Sequence, residues 1–307
     1  MAGACGVTGS RGTLGCLVQG WGRVSGEVVA VFPRAVHVRI RQRYLTLGDA
    51  SLPPHPASIL WPDIPAPSAW TPGRRVQLDS EGVRIGERLL ISYHGMGIFT
   101  PGRSCPSPVP RALQTEALEA GRQAASRLPM RGTWHALLCG QVPETDGSGI
   151  ASALAAGDAA AGDGIARGIR ELVRTGDGEP LRKAALALAG RGEGLTPAGD
   201  DVLAGVLCAL RYCGESGGRP LLSQRGLDSM ADACATKTSR FSGFLLRCAA
   251  RGFVAAPLDD WLWAVHRGDL HGVVSATEAM HALGATSGMA GCWGLGTCMK
   301  VLLEEAA

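Results

Sequence analysis

The densest chemistry in the 307-residue chain lies in Arg191-Gly-Glu-Gly-Leu-Thr-Pro-Ala-Gly-Asp-Asp-Val-Leu-Ala-Gly205. Thr196 as N-cap and Pro197 as first helical residue predict a helix start, followed by an apolar run from Val202. A helix start behind a glycine loop turns free N–H groups outward, and with the helix dipole these can hold a phosphate or carboxylate. Gly194, Thr196 and Gly199 are therefore candidate anion-binding residues. The same residues can also be no more than a well-capped helix, with Asp200 and Asp201 stabilising its positive end. Neighbouring side chains on a helix point about 100° apart, so the two carboxylates cannot both avoid the core. The inward one needs donors, a cation, a metal ion or the amine of a substrate. Asp200 and Asp201 are thus the candidate catalytic carboxylates, for amine contact or general base work.

Two further polar clusters share this character. Gly284-Ala-Thr-Ser-Gly288 leads into the last helix and repeats the Gly-x-Thr start of Gly194-Leu-Thr196. Thr236-Lys-Thr-Ser-Arg-Phe-Ser242 offers hydroxyls, an ammonium and a guanidinium between two helices, with Ser239 placed as an N-cap. The expectation is one oxyanion pocket lined by Thr236, Thr238, Ser239, Arg240, Thr286, Ser287 and Gly288, with Lys237 as a catalytic cation. His94, before Gly95-Met-Gly97 at the predicted domain junction, is a further catalytic candidate, or a structural histidine.

Other chemistries lack their patterns. The seven histidines show no H-E-x-x-H spacing, so no metal site is predicted, and neither a Walker loop nor a helix-opening G-x-G-x-x-G occurs. The formal charge of +3 is spread without a block of like charges, which argues against a nucleic-acid partner. Arg39, Arg41 and Arg43 alternate as on the solvent face of a strand. The longest apolar run, Val202 to Leu210, is too short to span a bilayer, so no membrane partner is expected. The ten cysteines form no C-x-x-C, and Met1 to Cys16 lacks a signal-peptide core, which predicts free thiols in a reducing cytoplasm. No cofactor is implied. Trp261, Trp263 and Trp293 are candidates for core packing or for the pocket wall.

The elements that must position these residues change character along the chain. Up to residue 100, short β-branched runs between Gly, Pro and Asp predict an antiparallel β domain, a small sheet or barrel, with strands at 12–21, 26–32, 35–40, 44–47, 58–60, 74–78, 83–85 and 88–92. Gly95 to Pro110 is the expected boundary. From Arg111 to Ala307 the period becomes helical, with helices at 112–126, 149–175, 180–189, 197–213, 221–236, 239–251, 258–266, 270–283 and 288–305. The fold class is α+β, with domains at 1–100 and 111–307. Abundant Ala and Gly predict close helix packing.

At Gly194-Leu-Thr-Pro-Ala-Gly-Asp-Asp201, followed by Val-Leu-Ala-Gly205, the chain resembles the AllH-like family, which includes a subunit of oxamate carbamoyltransferase. A β-rich start, a hydrophobic strand before this motif, a helix start near Thr236–Ser239 and the Gly-x-Thr-Ser-Gly run at Gly284–Gly288 follow the family's order. The resemblance implies a cytoplasmic protein of nitrogen metabolism, in allantoin degradation. It implies action on oxalurate or a similar ureido acid with phosphate, giving oxamate and carbamoyl phosphate, alongside partner subunits. Met289-Ala-Gly-Cys-Trp293 departs from the Asp-containing stretch of the pattern and removes a carboxylate. Three readings stay open: a carbamoyltransferase or its subunit binding a small anion, a non-catalytic ligand-binding subunit, and a stand-alone enzyme of specialised metabolism.

Overall fold

The computed structural model describes residues 12–62, 70–102, 109–141, 150–216 and 220–305, with backbone alone at 150–154 and 213–216. Cys5 and Cys105, predicted as free thiols, lie outside the described residues, as does most of Met1 to Cys16. The chain divides into two compact units, Met1–Pro101 and Gly102–Ala307.

The first unit is a curled sheet built from β1 (Thr13–Gly15), β2 (Val24–Val31), β3 (Ala35–Ile40), β4 (Arg43–Asp49), β5 (Ser58–Trp61), β6 (Arg75–Leu78), β7 (Gly82–Ile85), β8 (Arg88–Ser92) and β9 (Gly97–Phe99). Its strand order is β8-β7-β6-β2-β3-β4-β5-β1-β9. Val36, Val38 and Ile40 turn inward as their alternation predicts, beside Val28, Leu45, Leu47, Ile59 and Val76. The sheet is not wholly antiparallel, because β4 pairs with β5 and β1 with β9 in parallel. The predicted strand 12–21 stops at Gly15, where a Cβ would collide with the Pro56 carbonyl. There the Leu17 amide donates to that same oxygen at 3.0 Å, and the chain turns into the short helix α1 (Cys16–Gln19). Arg41 is not on a strand face. It occupies the β3–β4 hairpin turn at φ +57°, while Arg39 pairs with Glu27 at 3.1 Å and Arg43 lies over the Trp21 ring.

The second unit is helical. It contains α2 (Arg111–Ser126), α3 (Gly132–Leu138), α4 (Ile150–Thr175), α5 (Glu179–Leu188), α6 (Ala198–Ser216), α7 (Gln224–Ala235), α8 (Arg240–Ala249), α9 (Ala256–Arg267), α10 (Leu270–His281) and α11 (Ser287–Glu305). The segment before Gly194 is the helix α5 and not a strand. The short helix α3 has no counterpart in the predicted set. Among the described residues no helix is long and apolar enough to cross a membrane.

Glycine decides how this unit packs. A Cβ at Gly205 would collide with the Gly291 carbonyl, and one at Gly294 with the Val202 carbonyl, so α6 and α11 touch backbone to backbone. Around that contact Val202, Leu203, Val206, Leu207, Leu295 and Cys298 form the centre of the core. Cys139, Cys208, Cys234, Cys248, Cys292 and Cys298 are buried free thiols and pack as small hydrophobes. The α6–α11 contact brings the first turns of both helices side by side.

Candidate functional site

The start of α6 differs from the prediction by one residue, with a chemical consequence. The backbone bends from Gly192 to Thr196, and the Asp200 and Asp201 amides donate to the Pro197 carbonyl at 2.9 and 3.3 Å. Thr196 is therefore not the N-cap. Its hydroxyl instead meets Ser287 Oγ at 3.3 Å, on the first turn of α11.

Asp200 is the inward carboxylate that the 100° argument requires, at 2% exposed. Its Oδ1 accepts from the Gly190 amide at 2.8 Å, and its Oδ2 accepts from the Ser242 hydroxyl at 2.7 Å and from the Thr238 hydroxyl. Three neutral donors thus take the place of the cation, metal ion or substrate amine weighed from the sequence. Gly190 stands at φ +76°, and a Cβ there would collide with the Lys237 carbonyl, so glycine lets this loop pass between Asp200 and the α7–α8 turn.

Asp201 points toward α11 instead. Its Oδ2 is sealed from solvent and has no partner among the described residues, while the Ser287 hydroxyl bonds to the carboxyl group. Burial, helped by the charge of Asp200 and opposed by the Ser287 hydrogen bond, pushes its pKa up to about 8. At neutral pH the carboxyl mostly carries a proton.

The other predicted residues divide by what they touch. Ser239 is the N-cap of α8, accepting from the Ser242 amide at 3.0 Å, and its hydroxyl also donates to the Leu195 carbonyl at 2.9 Å. Thr236 ends α7 with its hydroxyl on the Ala233 carbonyl at 2.7 Å. Lys237 and Arg240 are exposed on the same turn. The Gly199 amide donates to the Arg191 carbonyl at 2.9 Å and the Gly288 amide to the Leu283 carbonyl at 3.1 Å, so both predicted oxyanion donors already have acceptors. These two glycines allow close backbone approach, since Cβ atoms would collide with the Leu188 and Met280 carbonyls. Gly194 is exposed at φ +93° with open space around it. The Thr286 carbonyl accepts from the Ala290 amide at 3.0 Å. The amides of Thr196 and Ala198 meet no protein acceptor among the described residues. His94 lies in the first unit, exposed in the turn after β8, its amide on Ser92 Oγ at 3.2 Å.

The three segments therefore meet. Thr196 with Ser287 joins the first to the last, and Asp200 with Thr238 joins the first to the middle one. Sequence reasoning left out several residues that hold them there. Ser242 was legible as the fourth residue of the Ser239 cap. Gly190, and Arg191, whose guanidinium stands 3.6 Å from Asp158 of α4, were not, because each depends on a partner far along the chain. Arg131 is another, reaching the carbonyls of His281 at 2.7 Å and Gly284 at 3.0 Å to brace the turn before α11. His135 fixes that arginine's backbone, accepting its amide on Nδ1 at 3.0 Å while Nε2 bonds to the Ala125 carbonyl at 2.9 Å. Among the described residues no group of three or more His, Cys, Asp or Glu side chains could hold a metal ion.

No solved structure matches the chain. Residues 188–299, which run from the end of α5 into α11 and contain all three converging segments, match the family model described as oxamate carbamoyltransferase subunit AllH, the family that the motifs resemble.

Proposed function

We propose that the helical unit is an enzyme subunit that binds a small ureido or carboxylate anion together with phosphate, and that the reaction is carbamoyl transfer between oxalurate and phosphate. The observation that carries this reading is the meeting of the Gly-Leu-Thr-Pro loop, the α7–α8 turn and the start of α11 around Thr196, Asp201 and Ser287. In this reading the unengaged amides of Thr196 and Ala198, with the Thr196 and Ser287 hydroxyls, supply donors to the anion, and Lys237 and Arg240 supply positive charge at the approach. Phosphate oxygen bonds to the carbamoyl carbon while the bond from that carbon to the oxamate nitrogen breaks. The leaving nitrogen needs a proton, and hydrogen phosphate loses one. Asp201, held mostly protonated at neutral pH, is the residue suited to give the first and take up the second. Asp200 acts as a positioning residue, since its oxygens are taken by Gly190, Thr238 and Ser242.

A second reading, a non-catalytic subunit that supports a partner's active site, is favoured by one observation. The Gly199 and Gly288 amides face protein carbonyls and leave fewer donors for an anion than the sequence suggests. Thermal-shift titration of the purified chain with phosphate, carbamoyl phosphate, oxamate and oxalurate, paired with turnover assays with and without co-purified partners, separates the two. The enzyme reading expects a ligand-dependent rise in Tm that Thr196→Val with Ser287→Ala removes. It also expects turnover, in the complex, that Asp201→Asn lowers at least 100-fold. A complex with undiminished turnover in both variants would transfer the chemistry to the partner.

A further inference from the structure

The turn that carries Ser287 to Asp201 is held from outside the three converging segments. α10 ends at His281, and residues 282–286 cross from there to the start of α11. Two consecutive residues at the start of α3 grip this crossing. Arg131 Nη1 donates to the His281 carbonyl at 2.7 Å and to the Gly284 carbonyl at 3.0 Å, so one nitrogen ties the last turn of α10 to the middle of the crossing. Gly132, at φ +73°, stands against Thr286, whose methyl carbon would lie 3.0 Å from a Cβ placed there. The space left by the missing side chain is therefore the seat of the residue before Ser287.

Arg131 is itself fixed from both sides. Its amide donates to His135 Nδ1 at 3.0 Å, and His135 Nε2 donates to the Ala125 carbonyl at 2.9 Å, which sets the tautomer that leaves Nδ1 an acceptor. Two residues earlier, the Pro129 carbonyl accepts from His281 Nε2 at 2.8 Å, so this segment and the end of α10 are bonded twice, once in each direction. His135 is fully buried, its ring 5.6 Å from that of His281. Burial lowers its pKa against the pull of the Ala125 hydrogen bond, which keeps the ring neutral at neutral pH.

A cap for α10 needs only the His281 carbonyl, where a cation also complements the negative end of the helix. The bond to Gly284 and the seat of Thr286 reach past the helix end, to the last residues before Ser287. Ser287 in turn meets Thr196 at 3.3 Å and bonds to the Asp201 carboxyl group. We propose that Arg131 is a positioning residue of the candidate site, fixing through the Gly284 carbonyl the turn that presents the Ser287 hydroxyl to Asp201. Its part in the reaction, setting the acid strength of Asp201, rests on the proton transfer proposed for that residue, whereas the brace itself does not.

Titration of Asp201, followed by carboxyl carbon NMR of the full chain, tests the brace apart from the reaction. The Ser287 hydrogen bond lowers the Asp201 pKa, against burial and the charge of Asp200, so a loosened turn moves the titration up. Arg131→Met is expected to raise the midpoint by about 0.5 pH unit, and Arg131→Lys, which keeps a donor for the Gly284 carbonyl, by less than half as much. In a Ser287→Ala background Arg131→Met is expected to add no further shift, because both residues act through one bond. Gly132→Ala leaves the Arg131 guanidinium in place but presses on Thr286, and is expected to move the midpoint up as well, which decides the matter should Arg131→Met fail to fold. An Asp201 titration unchanged in Gly132→Ala or in Arg131→Met, or an Arg131→Met shift of equal size with and without the Ser287 hydroxyl, would overturn the proposal. Turnover of the complex separates the two readings. A titration that shifts as expected while the alkaline limb of turnover stays in place upholds the brace and removes the proton role from Asp201.

Discussion

The β unit and the helical unit each bury titratable groups whose charged form the fold disfavours, but of opposite kinds. In the β unit these are imidazoles. Burial lowers the pKa of His37 and of His55 to about 4, and His55 Nδ1 accepts the Ala57 amide at 3.0 Å, a bond that protonation would break. In the helical unit the foremost case is a carboxylic acid, Asp201, raised to about 8. Linkage gives the two units opposite slopes in different windows. The lowered histidines bind fewer protons folded than unfolded, so the β unit loses stability as pH falls from about 6.5 toward 4. Raised Asp201 binds more protons folded than unfolded, so its share of stability falls as pH rises from about 4 to 8. Buried His135 opposes that trend at acid pH, since burial lowers its pKa too, which leaves the interval from about 6.5 to 8 as the one where Asp201 acts alone among these groups. Where the core supplies too few donors for the charged form, it thus tolerates an ionisable group by holding it neutral, whichever its sign.

The sharpest way to break this comparison is at the carboxylate that the fold satisfies. Asp200→Ala strands the Gly190 amide and the Thr238 and Ser242 hydroxyls, and is expected to cost about 3–5 kcal/mol in urea unfolding, at every pH from 6.5 to 8. Next is Asp201→Asn, which removes the titration and keeps the shape. It is expected to raise stability at pH 8 by about 2–4 kcal/mol, with little change near pH 4. A wild-type chain whose unfolding midpoint is flat between pH 6.5 and 8 would contradict the proton assigned to Asp201. In the β unit, His55→Asn keeps an acceptor for the Ala57 amide and is expected to recover about 2–3 kcal/mol at pH 4 relative to pH 7, read by hydrogen exchange of the β4 and β5 amides. The smallest effect belongs to Ser287→Ala. Loss of the Ser287 hydroxyl bonded to Asp201 is expected to cost about 1 kcal/mol and to move the Asp201 titration further up, observable in its carboxyl carbon NMR shift.

Much of the α+β architecture was legible because it is local. The alternation of Val36, Val38 and Ile40 and the helical period from Arg111 reflect which side chains one element must bury, and that is written at spacings of two to four residues. Ser239 was legible for the same reason, since its acceptor role toward Ser242 spans one turn. β9 was not, because a three-residue strand is stabilised by parallel pairing with β1, which lies more than eighty residues earlier. The helix α3 was hidden by its length. Thr196 shows the limit within the motif itself, as an N-cap and a cross-helix hydroxyl are the same residue in the sequence, and the position of Ser287 decides between them.

What the sequence determined by itself is therefore the inventory. Two adjacent carboxylates at a helix start cannot both face water, three Gly- and hydroxyl-rich segments are helix boundaries, and the β and helical periods divide the chain. Tertiary structure alone decided how the two carboxylates differ. The backbone contact of α6 with α11 at Gly205, Gly291 and Gly294 puts Asp201 against a helix that supplies one hydroxyl. The Gly190 loop and the start of α8 put three donors around Asp200. Side-chain chemistry is fixed residue by residue, but desolvation and hydrogen-bond supply are set by neighbours distant in the chain, and those neighbours separate a satisfied carboxylate from a protonated one.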